Sequence, residues 1–79
     1  MTVEFVVSEA GCESCAALVR DALEPFGTVE TVEIDEAADE ATVRLVGEAS
    51  EEAVNGALAE ASAGVGHTYR VRPGSWRGA

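Results

Sequence analysis

The spacing of apolar residues in this chain switches between a strand period and a helix period, and the order of those switches restricts its fold. From Thr2 to Ser8 the apolar residues alternate, with Val3, Phe5 and Val7 on one face of a half-buried strand. A short loop, Glu9-Ala10-Gly11, follows. From about Glu13 the period lengthens: Cys15, Val19, Ala22, Leu23 and Phe26 recur at helical spacing, and Pro25 and Gly27 end the helix. Val32 and Ile34 alternate with Glu33 and Asp35 in a second strand. A polar turn over 36–40 leads to a third strand marked by Val43 and Leu45 and stopped by Gly47. Ser50-Glu51-Glu52 is a helix start, a side-chain cap followed by two acids at the positive end of the dipole. Val54, Ala57, Leu58 and Ala61 form its buried stripe, and Gly56 within it suggests close packing on a sheet. After Gly64 and Gly66, residues 67–72 read as a fourth strand closed by Pro73 and Gly74.

Strand, helix, strand, strand, helix, strand is the ferredoxin-like βαββαβ order of the α+β class. It implies a four-stranded antiparallel sheet with two helices on one face. A chain of 79 residues holds one core. The domain is expected over 1–73, with 74–79 as a flexible tail carrying an exposed Trp76. Alternating strand directions place the 9–12 loop, the 36–40 turn and the loop before His67 at one end. His67 therefore comes within range of the first loop despite its distance in sequence. Tyr69 and Phe5 read as core.

Fifteen acids face five arginines, and there is no lysine. All the acids lie between Glu4 and Glu60, whereas Arg70, Arg72 and Arg77 fall in a stretch without any. Such a surface repels nucleic acid and anionic membranes. Dense carboxylates without lysine suit high salt, where the Debye length falls to about 3 Å at 1 M and screens self-repulsion; a halophilic origin is expected. No stretch reaches the ~20 apolar residues of a membrane span, and Met1-Thr2-Val3-Glu4 lacks the basic start of a signal peptide. A cytoplasmic monomer without membrane insertion is expected. Met1 just before the first strand points to a free small protein.

The only cysteines, Cys12 and Cys15, stand where the first strand gives way to the first helix. In a reducing compartment such a pair binds metal or does thiol chemistry rather than forming a structural disulfide. The thiolate is the ligand, and unpaired N–H groups at a helix start favour the ionised pair. Gly11 gives the loop backbone freedom. Two soft sulfurs suit Cu(I), whereas a closed structural zinc site needs four ligands, more Cys and His than the chain holds. Nearby carboxylates, Glu9 and Glu13, disfavour a bis-thiolate anion. At about 7 Å each would cost roughly 0.6 to 2.4 kcal/mol for effective dielectrics from 80 to 20. They would also serve a divalent ion, so Zn(II) stays open. His67 has three readings: third ligand, hydrogen-bond partner of the thiolates, or ordinary loop residue. Arg70 and Arg72 suit an acidic partner or local carboxylates.

The first strand, Gly11-Cys12-Glu13-Ser14-Cys15, Val19, Ala22-Leu23, the run from Gly27 to Ile34 and the run from Ala61 to Gly66 together resemble the heavy-metal-associated domain family. That family includes copper chaperones and N-terminal domains of metal-transporting P-type ATPases. The resemblance covers roughly residues 2–73. It implies a carrier without enzymatic turnover that holds one ion, Cu(I) or in some members Zn(II), Cd(II) or Hg(II), between Cys12 and Cys15 and passes it to a metal-transporting P-type ATPase or another metal-accepting protein. Two positions depart from the family pattern. Ala10 stands where a methionine is usual, and Gly66-His67 stands where many members have lysine or tyrosine. The competing readings are a thiol–disulfide oxidoreductase of glutaredoxin size, whose CxxC also follows a strand, and a protein-binding module with incidental cysteines. Against the oxidoreductase, the motif holds no aromatic or proline, and the element order differs.

Overall fold

The computed structural model describes residues 1–78. Strand β1 (Thr2–Ser8) leads to helix α1 (Glu13–Leu23), a 3-10 turn over Glu24–Phe26, strands β2 (Gly27–Asp35) and β3 (Glu40–Gly47), helix α2 (Glu51–Ser62), and short strands β4 (Arg70–Val71) and β5 (Arg77–Gly78). The sheet order is β2-β3-β1-β4, all antiparallel, and β5 pairs with β1 beyond β4. The sheet is thus four strands wide, in the expected ferredoxin-like arrangement.

Period-2 alternation sends Val3, Phe5 and Val7 of β1, Ala41, Val43 and Leu45 of β3, and Val71 of β4 to one face, where all are buried. The helices cover that face with Cys15, Val19 and Leu23 from α1 and Val54, Leu58 and Ser62 from α2. On α2 the deepest row repeats every four residues, so Ser62 rather than Ala61 continues it. The Ser62 hydroxyl donates to the Ala59 carbonyl at 3.0 Å, which removes the cost of burying it. Ser50 caps α2 by accepting the Ala53 N–H at 3.2 Å.

Gly56 does not pack against the sheet as expected. It is exposed, and a Cβ built there meets nothing within 4 Å. Gly56→Ala should therefore stabilise the fold by about 0.5–1 kcal/mol, because the helical conformation is kept while the unfolded chain loses freedom. Thermal unfolding in one buffer checks it; a lowered midpoint would contradict the open surroundings.

The C-terminal part differs most from expectation. The fourth strand spans two residues rather than 67–72, because its partner ends: Ser8 pairs with Arg70, and Glu9 then turns away at φ 59°. Residues 75–78 do not trail free. Pro73, with no N–H to give, interrupts the ladder, and the Ser75 hydroxyl substitutes by accepting the Val6 N–H at 3.1 Å and donating to the Arg72 carbonyl at 2.7 Å. Trp76 stacks on Phe5 with ring centroids 5.0 Å apart, and β5 then rejoins β1 opposite Val3 and Glu4. The last residue of the expected tail, Ala79, lies outside the described residues. On α2, the Asn55 side chain accepts the Val71 N–H at 2.7 Å, closing β4's outer edge to further pairing. Among the described residues, no helix is long and apolar enough to cross a membrane.

Candidate metal site

The end of the sheet where β1 meets α1 is assembled from three loops, as the strand directions required. Glu9 takes the left-handed turn out of β1, and Ala10 is fully buried beneath the loop. The β2–β3 turn then holds the loop in place. The Ala10 N–H donates to the Asp39 carbonyl at 3.1 Å, and the Gly11 N–H donates to Asp39 Oδ1 at 3.1 Å. Gly11 is needed here for closeness rather than for backbone freedom. A Cβ at this position would lie 2.6 Å from Asp39 Cα. The unusual backbone angles fall instead on Glu9 and on Asp39, at φ 55°.

This clamp sets Cys12 in an extended conformation as the N-cap of α1. Its Sγ accepts the Cys15 N–H at 3.3 Å, and its carbonyl accepts the Ala16 N–H at 2.9 Å. A sulfur thus takes the place of the usual capping oxygen. The two cysteines are free thiols in different surroundings: Cys12 is exposed, whereas Cys15 is buried as the first member of the α1 stripe. The expectation that the helix start would favour ionisation fails for Cys15. Burial raises its pKa, the nearby Cys12 side chain adds to the rise, and the hydrogen bond from Tyr69 only partly offsets them.

Tyr69 is the residue whose role the sequence did not reveal. It is buried as expected of a core residue, but its hydroxyl lies at Cys15. Burial and the hydrogen bond to Cys15 push the phenol pKa well up, so it stays a protonated donor. The one available signal was general: a buried tyrosine hydroxyl has to find a partner. Asp39 carried no such signal, being one carboxylate among many in an acidic turn.

His67 is exposed and stacks on the Tyr69 ring, centroids 6.0 Å apart with the planes at 12°. Glu9 accepts the Thr68 N–H at 3.4 Å and ties the loop before β4 to the loop after β1. Glu13 is exposed in the first turn of α1. Among the described residues, no three His, Cys, Asp or Glu side chains are grouped to hold a metal ion. The structure therefore brings Cys12 and Cys15 together and leaves His67, Glu9 and Glu13 outside any preformed cluster with them.

The buried thiol makes the metal-free fold sensitive to alkali. A raised native pKa contributes stability that is fully present below the unfolded thiol value near 8.5 and is lost as pH rises toward the native value. Tyr69 acts in the same direction from about pH 10 upward. The melting temperature of the reduced, metal-free protein should fall between pH 8 and 10, and Cys15→Ala should remove the earlier part of that fall. An unchanged profile in Cys15→Ala would show that the thiol is not its source.

Comparisons with known proteins follow the same lines. Among solved structures, oxidized MerP from Ralstonia metallidurans CH34 aligns with a TM-score of 0.58 at 20% identity, over 91% of this chain and 99% of that one. A structure described under "Crosstalk between Cu(I) and Zn(II) homeostasis" aligns with a TM-score of 0.55 at 24% identity, over the same shares of the two chains. At these identities the likeness establishes the fold. Comparison with curated proteins gives no match. The family model of the heavy-metal-associated domain matches residues 4–64, running from within β1 through the cysteine loop to just past α2. With that match over most of its length, this chain belongs to the heavy-metal-associated domain family.

Proposed function

We propose that the chain carries a single soft metal ion between Cys12 and Cys15, with Cu(I) as its cargo, and delivers it to a metal-transporting P-type ATPase or another metal-accepting protein. Family membership supports heavy-metal binding in general. The observation that carries the choice of ion is the donor set: two thiols, one exposed and one buried, with no third metal-ligating side chain grouped beside them among the described residues. Two sulfurs satisfy a two-coordinate soft cation, whereas Zn(II) and Cd(II) call for more ligands. Hg(II) shares the two-sulfur preference and is the main competitor.

Binding would proceed by loss of one proton from each thiol, and the ion replaces those protons as the partner of the sulfurs. Tyr69 keeps its proton and donates to Cys15 Sγ, which compensates the anion for its burial. Transfer would begin at exposed Cys12. An incoming partner thiolate adds to the ion, one protein sulfur leaves and takes up a proton, and a second exchange releases the other. No oxidation state changes, so the exchange needs no redox co-reactant, and a carrier that hands on its ion unchanged performs no turnover. The cytoplasm suits this chemistry because it keeps both thiols reduced. The oxidoreductase reading draws no support from the fold, whose βαββαβ order differs from that of glutaredoxins.

Competitive titration of the reduced protein with Cu(I), Hg(II) and Zn(II), read by native mass spectrometry, tests the proposal. One Cu(I) per chain that resists a moderate chelator is expected, with Zn(II) displaced. A preference for Zn(II), or a load that persists without free thiols, would overturn it. His67→Ala should leave Cu(I) affinity unchanged, since His67 stacks on Tyr69.

A further inference from the structure

The face of the sheet opposite the helices has a charge pattern that metal carriage at the cysteine loop does not use. Three rows cross it by strand register. The first runs Asp35, Glu40, Ser8, Arg70. The second runs Glu33, Thr42, Val6 and then Arg72, whose N–H donates to the Val6 carbonyl at 2.7 Å. The third runs Thr31, Arg44, Glu4, Arg77, with Glu30 beside Arg44 at 2.9 Å. Every row ends in an arginine at the β4–β5 margin; at β2 the first two end in a carboxylate, and the third ends in Thr31 with Glu30 next to it. Three of the five arginines in a chain of net charge −10 thus share one margin.

That margin also has a recess. A groove of about 240 Å3 lies between Arg72 and Arg77, with Val6 and Thr42 in its lining and Gly74 and Ser75 from the ladder break at its edge. Arg72 holds Glu40 at 3.1 Å while staying half exposed, and Glu4, also in the groove, is held by Arg44 at 3.2 Å. Arg70 and Arg77 have no ion-pair partner among the described residues.

We infer that the arginine margin of the open sheet face, centred on the groove between Arg72 and Arg77, docks an acidic segment of a partner protein. The chemistry is guanidinium forks meeting carboxylates, a contact that keeps its geometry when long-range attraction is screened. A second copy of this chain offers carboxylates too, along its β2 margin. It is the weaker occupant because each copy carries a net charge of −10 and two such bodies repel, whereas a short acidic segment brings only its own few carboxylates. Two rigid copies would also have to bury about 800 Å2 each for a stable interface. A transient partner bound through a local charge match needs less area. The inference does not depend on the metal reading, because this face is opposite the helices and the cysteine loop lies at the sheet's end.

The experiment is an amide chemical-shift titration of the reduced, metal-free full chain with a blocked hexaglutamate peptide at low salt. Shifts are expected at Val6, Thr42, Arg72, Ser75 and Arg77, with the Cys12–Cys15 loop unmoved. Affinity should fall at least tenfold in the double variant Arg72→Gln/Arg77→Gln. Arg77→Gln alone, which breaks no ion pair among the described residues, should fall partway and guards against a misfolded double variant. The absence of shifts, shifts confined to the cysteine loop, or equal shifts with hexalysine would overturn the inference. Concentration-dependent dimerisation that the double variant abolishes would overturn it in favour of the second copy.

Discussion

Replacing Cys12 or Cys15 with serine should abolish tight one-to-one Cu(I) binding while leaving the fold in place. A hydroxyl is a hard, weakly acidic donor that does not replace a thiolate on a soft ion. Changing a partner in the outer shell of a metal site typically costs 10–100-fold in affinity; removing one of only two ligands should cost more. The two variants should fail differently. Cys12 is exposed and caps α1 through its sulfur, and serine caps at least as well, so Cys12→Ser should keep or raise the melting temperature. Cys15 is buried, and its serine replacement places a hydroxyl beside Tyr69, so it should keep the fold with a small loss. Native mass spectrometry of anaerobically reduced protein, with the sulfur-to-metal charge-transfer band, reads both. One Cu(I) retained with unchanged affinity in either variant would refute the assignment.

Gly11→Ala should cost about 2–3 kcal/mol, more than any exposed loop substitution in this chain. The added Cβ would overlap Asp39, with Cα 2.6 Å and the carbonyl carbon 2.9 Å away. Backbone atoms cannot rotate aside, so the β1–α1 loop and the β2–β3 turn must separate, as in overpacking of a filled core. For a domain of this size, 1 kcal/mol corresponds to about 4–8 °C in melting temperature, so a fall of roughly 8–24 °C is expected. The same movement would break the Gly11 N–H bond to Asp39 Oδ1 and loosen the Cys12 cap, so alkylation of Cys15 should quicken. A melting temperature within 2 °C of the parent would show that the turn gives way easily and that the clamp is not rigid.

Asp39 and Tyr69 show where sequence reasoning stopped. The Asp39 bond to Gly11 joins residues 28 apart, and Tyr69 meets Cys15 from beyond the second helix. Neither contact leaves a periodic trace. His67 shows the opposite difficulty. Topology correctly brought its loop to the cysteine end, yet side-chain direction decides contact, and the ring turns onto Tyr69. The C-terminal segment shows a related difficulty. Pro73-Gly74 reads locally as an end, but Ser75 supplies the bonds that proline cannot, and Trp76 finds the Phe5 ring across the break.

What the residues determined unaided was the order of elements, the face each one buries, and the placing of two thiols at a strand–helix junction. These follow from short-range periodicity and chain direction, which any reader of the apolar pattern can trace. Tertiary structure alone decided that one thiol is buried and the other exposed, that a tyrosine rather than the histidine serves the buried sulfur, and that three distant arginines share one margin. Each of those depends on the packing of segments far apart along the chain, where small differences in close contact outweigh any local preference.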